Sequence, residues 1–404
     1  MNRNTAPWIW ELSKFIVGKC IATFAVEMIF IAVGWQVYDL THNALNLGLI
    51  GLAQFLPFLL LSLWGGQAAD KYSRKMLALC GLILGFLAMA LLVFQSVYFP
   101  TELFYIYASL VILGVSKAVS SPAMHAVMPS LVPLDKFSQV AAWNASLWQL
   151  MVIFGPTAGG LLLGYFGSPT KVYMTGMSLL LISIFFINRT KIPHAVTSTS
   201  ESFVENCLVG FRYVRKHQEI LGAITLDLFA VLFGGVIALL PAFASDVLHV
   251  GPEGLGLLKG AQGFGAAAMS IFLGLKPIKK RAGKKLFTAV FIFGFAILGF
   301  GISTSFYLSL LCLVLAGAAD AISIVVRHGI VQLRTPAEMR GRVSAVSVIC
   351  ISASNELGEF ESGFAASLLG LVPSVIFGGI GTLLVAAIWM YQFPLLRKAN
   401  TLEN

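Results

Sequence analysis

The chain has little charge. Only 11% of its 404 residues are Asp, Glu, Lys or Arg, whereas 58% are hydrophobic. A soluble domain carries about 25% charged residues. So low a share excludes an ordinary soluble enzyme or nucleic-acid-binding protein and predicts a polytopic membrane protein.

Cysteine is also scarce, and the chain lacks the short motifs of common enzyme classes. The five cysteines are scattered, without disulfide or metal-ligand spacing. They are Cys20, Cys80, Cys207, Cys312 and Cys350. The chain has no His-Glu-x-x-His, Gly-x-Ser-x-Gly, phosphate-loop or Cys-x-x-Cys pattern. We therefore expect no metal, no cofactor and no enzymatic activity.

The cations that are present show a strong asymmetry. Lys and Arg number 27 against 18 Asp and Glu. With the N-terminus inside, 22 of the 27 fall in predicted cytoplasmic loops and tails, and only Lys171 falls outside. Four more lie in predicted helices, at Lys19, Lys117, Lys259 and Arg327. The positive-inside rule then predicts that both termini are cytoplasmic, and the excess of cations does not indicate nucleic acid.

Apolar runs long enough to cross a bilayer recur along the whole chain. We predict twelve helices, at 14–38, 46–69, 76–97, 102–122, 138–163, 171–188, 219–243, 254–275, 285–303, 306–327, 342–367 and 374–396. The chain is thus expected to divide into an N-terminal six-helix bundle at 1–188, a cytoplasmic linker at 189–218 and a C-terminal bundle at 219–404. Residues 203–217 of the linker have the spacing of a surface amphipathic helix.

The polar stretch 66–75 lies between the second and third apolar runs and is predicted to be a tight turn. Gly66, Asp70, Arg74 and Lys75 stand in the register of the loop signature of the major facilitator superfamily, which this stretch resembles; Ser73 replaces its second glycine. The resemblance implies an all-α membrane fold of two pseudo-symmetric six-helix bundles. Residues 281–285 resemble a degenerate second copy of the signature.

The same resemblance implies a conformational latch. Asp70 would meet the N-terminus of predicted helix 11 near Arg342, with Gly66 and Arg74 shaping the loop. A carboxylate at a helix N-terminus is stabilised by about 0.3–1 kcal/mol. The contact would hold the cytoplasmic side closed in the outward-open state.

The run 155–160 in predicted helix 5 resembles the helix-5 motif of superfamily antiporters, which favours export. Gly159 and Gly160 would let a neighbouring helix approach closely, and Pro156 would bend the helix. The alternative interpretation is plain helix packing.

Acidic residues inside membrane helices are candidates for proton coupling, because they are costly there. We rank Glu27 first, Asp227 second and the pair Glu356 and Glu359 third. The pair is one helical turn apart, so double ionisation is disfavoured. The alternative for each acid is a structural buried pair. Asp320 shares a helix face with Arg327.

Predicted helix 5 also carries a group of rings and amides that suits a flat polar ligand. The substrate-binding candidates are Trp143, Asn144, Trp148 and Gln149, together with Asp320 in predicted helix 10. Helix packing is again the alternative for the helix-5 group.

Five further stretches resemble the enterobactin-exporter-like branch of the superfamily, at 35–41, 142–149, 226–235, 335–345 and 354–363. This implies proton-driven export of a siderophore-like small molecule across a bacterial inner membrane, by a protein that we expect to be a monomer. Efflux of varied drugs such as macrolides, transport of iron or lysolipid, and uptake remain alternatives. A sensor would need an added soluble domain.

Overall fold

The computed structural model describes residues 7–192, 203–278 and 280–399. Its longer helices are α1 (Pro7–Thr41), α2 (Ala44–Lys71), α3 (Arg74–Tyr98), α4 (Leu103–Leu131), α5 (Phe137–Phe166), α6 (Pro169–Arg189), α7 (Phe203–Lys216), α8 (Gln218–Phe233), α10 (Pro252–Leu275), α11 (Ala282–Ile302), α12 (Phe306–Arg334), α13 (Ala337–Leu369) and α14 (Leu371–Gln392). Two short pieces complete the described part, α9 (Leu240–Ala242) and α15 (Pro394–Lys398). The all-α architecture agrees with the prediction.

Ten helical segments in these ranges are long and apolar enough to cross a membrane. Eight of them are α1 to α6, α11 and α12; the others are α14 and the segment from Gln218 to Val247 that starts with α8. Two more helices, α10 with 24 residues and α13 with 33, have the length but a more polar composition. Glycine, lysine and glutamate on these two helices lower their hydropathy.

The chain forms two compact units. Unit 1 consists of Met1–Leu40 and Ala53–Ser200, and unit 2 of Thr41–Leu52 and Glu201–Asn404. Unit 2 therefore includes the first turns of α2. These turns belong to unit 2 because glycines allow the backbones of α2 and α13 to come into contact. A Cβ at Gly363 would lie 2.8 Å from the carbonyl oxygen of Ala44 and from the Cα of Gly48.

Several predicted boundaries differ from the observed ones. The stretch 66–75 is mostly helical rather than a turn, since α2 continues to Lys71 and α3 begins at Arg74. The helix predicted at 219–243 is interrupted after Phe233 by Gly234 and Gly235, then continues as a 3₁₀ turn, α9 and a π-helical turn to Val247. Glycine here removes the Cβ that would collide with α13, because Gly235 lies directly against the backbone of Gly358.

Short turns between helices depend on two glycines with positive φ. Gly167 (φ 60°) ends α5 and donates its N–H to the carbonyl of Leu163, and Pro169 starts α6 two residues later. Gly370 (φ 91°) separates α13 from α14. Only glycine adopts these angles without strain, so both turns stay short.

The linker helix α7 packs within unit 2. Its Val214 is buried in a cluster with Val343 and Val346 of α13. A Cβ at Gly210 would lie 2.5 Å from the carbonyl oxygen of Arg342. The opposite side of α7 exposes Leu208 and Phe211 beside basic residues, as expected for an amphipathic helix.

Candidate functional site

The interior of unit 2 contains a buried ion pair. Arg327 of α12 pairs with the carboxylate of Asp227 of α8, and the two residues are only 2% and 5% exposed. Both helices belong to membrane-spanning segments. Each charge therefore offsets the other in a medium where an isolated charge is costly. The proton candidate Asp227 is thus held in an ion pair.

A second carboxylate lies beside this pair. Asp320, at the middle of α12, lines a small cavity together with Asp227 and the buried Ser323. The rest of the wall is apolar and includes Val290 and Phe293 of α11. The water-accessible volume is about 10 Å³, close to the space of one water molecule. Asp320 forms no hydrogen bond or ion pair with any residue that the structure describes.

The glutamate pair of α13 faces the start of α2, also within unit 2. A Cβ added at Gly51 would lie 2.9 Å from Oε2 of Glu359 and 3.1 Å from Oε2 of Glu356. Both carboxylates therefore flank one glycine and are close neighbours, as their spacing predicts. Both glutamates also take part in other polar interactions.

In unit 1, the glycine motif of α5 packs directly against Glu27 of α1. A Cβ at Gly155 would lie 2.6 Å from the Cβ of Glu27, and Gly159 lies against the carbonyl of Met28. Two features that the sequence suggested separately, the motif and the acid, thus meet at one helix crossing. Glu27 is partly buried and has no ion pair or hydrogen bond to the described residues.

The candidate substrate residues of α5 lie near the first part of α1. Asn144 accepts a hydrogen bond from the Nζ of Lys19 at 3.3 Å. Trp143 and Trp148 are 64% and 48% exposed, and Gln149 is partly buried. About half or more of each tryptophan residue is therefore exposed. Asp320 belongs to unit 2 and is not among these contacts.

The predicted latch is described only in part. Arg74 donates from Nη1 to the carbonyl of Ala126 at 3.0 Å, which ties the start of α3 to α4. Arg342 lies in the second turn of α13, where its Nη1 is 3.9 Å from Sδ of Met339. The surroundings of Gly66 and the side chain of Asp70 lie outside the described part.

Three polar features of the structure were not predicted from the sequence. Lys19 was counted among the helix cations, but its bond to Asn144 was not expected. The pairing of Arg327 with Asp227 was also missed, because residues on different helices leave no spacing signal. A third feature is a buried network in which the Tyr173 hydroxyl donates to Gln36 (2.7 Å), whose Nε2 donates to Oε1 of Gln95 (3.3 Å). The presence of Gln36 and Gln95 within apolar runs was the sequence signal that could have indicated this network.

Comparison with known proteins places the chain among transporters. The transmembrane secretion effector family matches residues 5–403. An enterobactin exporter of Citrobacter koseri is 24% identical, over 98% of this chain and 97% of that protein. A staphyloferrin A transporter of Staphylococcus aureus is also 24% identical, over 89% of this chain and 91% of its own length.

Solved structures share the fold at low sequence identity. A POT family transporter in complex with 5-aminolevulinic acid has a TM-score of 0.76 at 10% identity and covers 95% of this chain and 96% of its own. A D-xylose-proton symporter has a TM-score of 0.75 at 12% identity, covering 95% and 97%. The major facilitator fold expected from the 66–75 stretch is thereby confirmed.

Proposed function

We propose, from the premise that this chain belongs to the transmembrane secretion effector family of major facilitator transporters, that it exports a siderophore-like small molecule from the cytoplasm. The observation that carries the proposal is the pair of relatives named above, whose names both refer to siderophores. One of them aligns over nearly the whole length of both chains. The alignment thus includes every helix that holds a candidate residue.

The polar group on α1 and α5 supports a ligand of this chemistry. Chelators of ferric iron carry clustered acidic oxygens, and catecholate chelators add aromatic rings. Lys19 offers a compact cation, Asn144 an amide, and Trp143 and Trp148 accessible ring faces. We expect these residues to contact the substrate.

We propose proton entry as the energy source and Glu27 as the first candidate carrier. An acid inside a membrane helix is expensive to keep charged without a partner. The close crossing of α5 at Gly155 would couple a change at Glu27 to a movement of α5. Transport would then follow alternating access, with Asp70 and Arg342 as the cytoplasmic latch.

Substrate class is best tested by counterflow in proteoliposomes. Liposomes loaded with unlabelled iron-free enterobactin or staphyloferrin A should accumulate the labelled form of the same compound. Iron-loaded siderophore, ferric citrate, lysolipid and a macrolide are the comparison compounds. Exchange of a siderophore but not of the others supports the proposal. Exchange of the macrolide alone would instead identify a drug exporter.

A further inference from the structure

The charges around the cavity of unit 2 do not balance. Asp227 and Asp320 contribute two carboxylates, and Arg327 contributes one cation, which is paired with Asp227. The cavity is otherwise lined by the Ser323 hydroxyl and by apolar side chains. A carboxylate without a counter-charge is costly in such surroundings. The site is therefore one positive charge short of neutrality.

The neighbouring helices offer no second partner in contact. On α11 the cavity is bounded by Ala289, Val290 and Phe293, which do not titrate. On α12 itself, the buried Nε of Arg327 makes no hydrogen bond to the described residues. From α13, Cys350 packs against the cluster that includes Val331 of α12. Among the described residues around the cavity, Asp320 is thus the ionisable group that has no counter-charge.

Lys259 of α10 is another cation to consider at this level of α12. Helices α10 and α12 run antiparallel in close contact, with Gly317 against Gln262 and Gly265 against Val314. This register places Lys259 level with Asp320. Nevertheless the two residues form no ion pair in the structure, and Lys259 is partly exposed. Its long stem allows the ammonium group to reach a polar boundary instead.

We propose that Asp320 is a proton-binding site of unit 2, distinct from Glu27, in which a bound proton neutralises the second carboxylate beside the Asp227–Arg327 pair. A proton fits better than a metal cation, because the described residues hold no group of three His, Cys, Asp or Glu side chains able to ligate one.

The arrangement has a mechanical consequence. When Asp320 releases its proton, two carboxylates compete for the single guanidinium of Arg327. Arg327 is then drawn between α8, which carries Asp227, and its own helix α12. A role for this change in coupling rests on the proposed function, whereas proton binding itself does not.

The test is infrared difference spectroscopy of the full-length protein in lipid nanodiscs, between mildly acidic and mildly alkaline buffer, with no substrate present. Wild type should show the carbonyl band of one protonated carboxyl group that disappears on alkalinisation. The band should be lost in Asp320→Asn and kept in Asp246→Asn, the same change at an exposed aspartate. Asp320→Glu should keep a band at a shifted frequency, which covers the case that the asparagine variant folds poorly.

Three results would overturn the proposal. The first is a band that persists in folded Asp320→Asn. The second is a carbonyl band that is absent from wild type but appears in Lys259→Met. This result would make Lys259 the counter-charge of Asp320. The third is a wild type that lacks the carbonyl band and is thermally stabilised by sodium, where Asp320→Asn abolishes the stabilisation. This result would indicate a sodium site. Because no substrate is used, failure of siderophore exchange in proteoliposomes would not affect this measurement.

Discussion

Arg327 of α12 and Asp227 of α8 form an ion pair in the interior of unit 2, with 2% and 5% of their surfaces exposed. Removing one partner of a buried pair leaves an uncompensated charge and costs about 3–5 kcal/mol, whereas replacing both by apolar or neutral groups is often tolerated. We expect the two single changes to have unequal effects, because Asp320 lines the same cavity and offers Arg327 a second carboxylate when Asp227 is replaced.

The first prediction is a double-mutant cycle on this pair, measured by thermal unfolding in detergent. Arg327→Met should lower the unfolding temperature strongly, and Asp227→Asn less so. The double variant should be more stable than Arg327→Met alone. Asp39→Asn, the same change at an exposed aspartate of α1, serves as the control and should leave stability unchanged. Additive effects of the two substitutions would contradict a direct pairing.

A second prediction concerns the crossing of α1 and α5. A Cβ at position 159 meets the carbonyl of Met28, so Gly159→Ala must push the two helices apart. We expect a lower unfolding temperature and reduced transport. Gly274→Ala is the control, because no atom lies within 4 Å of its added Cβ. Alanine there should raise helix stability by up to about 1 kcal/mol. Equal behaviour of the two variants would refute the close crossing as a functional contact.

A third prediction concerns substrate recognition by Lys19. Lys19→Met should raise the KM for an acidic siderophore at least tenfold, and Lys19→Arg should restore part of the affinity by keeping the charge. Asn144→Ala should have a smaller effect, since it removes a neutral hydrogen-bond partner. Lys117→Met is the matched control, because Lys117 lies over the ring of Phe58, 5.1 Å from its centroid. Equal losses at Lys19 and Lys117 would point to a general effect on folding.

A fourth prediction concerns the latch. Asp70→Asn should remove the charge that we propose to cap α13, and it should then shift the protein away from the outward-open state. A reporter cysteine can be introduced as Asp39→Cys, at the end of α1 that the positive-inside rule predicts to be outside. Its labelling from the periplasmic side should then become slower. Glu102→Gln, the same loss of charge at an exposed carboxylate before α4, is the control. Unchanged labelling in Asp70→Asn would show that Asp70 does not set the conformational balance.

The sequence predicted the fold well, because apolar run length decides where a membrane helix lies. It located the helix termini less well at 66–75, since a polar sequence next to a membrane can remain helical as far as Lys71. The interruption after Phe233 was missed for a related reason. Glycines at 234 and 235 are compatible with a helix, and only their contact with α13 makes them a break.

Contacts between candidate residues were predictable within one helix, as for Glu356 and Glu359, but not between helices. The i, i+7 spacing placed Asp320 and Arg327 on one face, yet the structure pairs Arg327 with Asp227 on another helix. Contacts between helices depend on packing that single-helix periodicity does not contain. The meeting of Glu27 with Gly155 shows the same limit, although each residue was recognisable by itself.

The most direct test of proton-driven export is accumulation of labelled iron-free siderophore in inside-out membrane vesicles with an imposed proton gradient, acidic inside. We predict that wild type accumulates the compound and that a protonophore abolishes the accumulation. Glu27→Gln should lose gradient-driven accumulation while keeping siderophore counterflow, because a neutral amide still allows exchange without net proton movement. Accumulation that continues unchanged with the gradient collapsed would contradict proton coupling, and normal accumulation by Glu27→Gln would exclude Glu27 as the carrier.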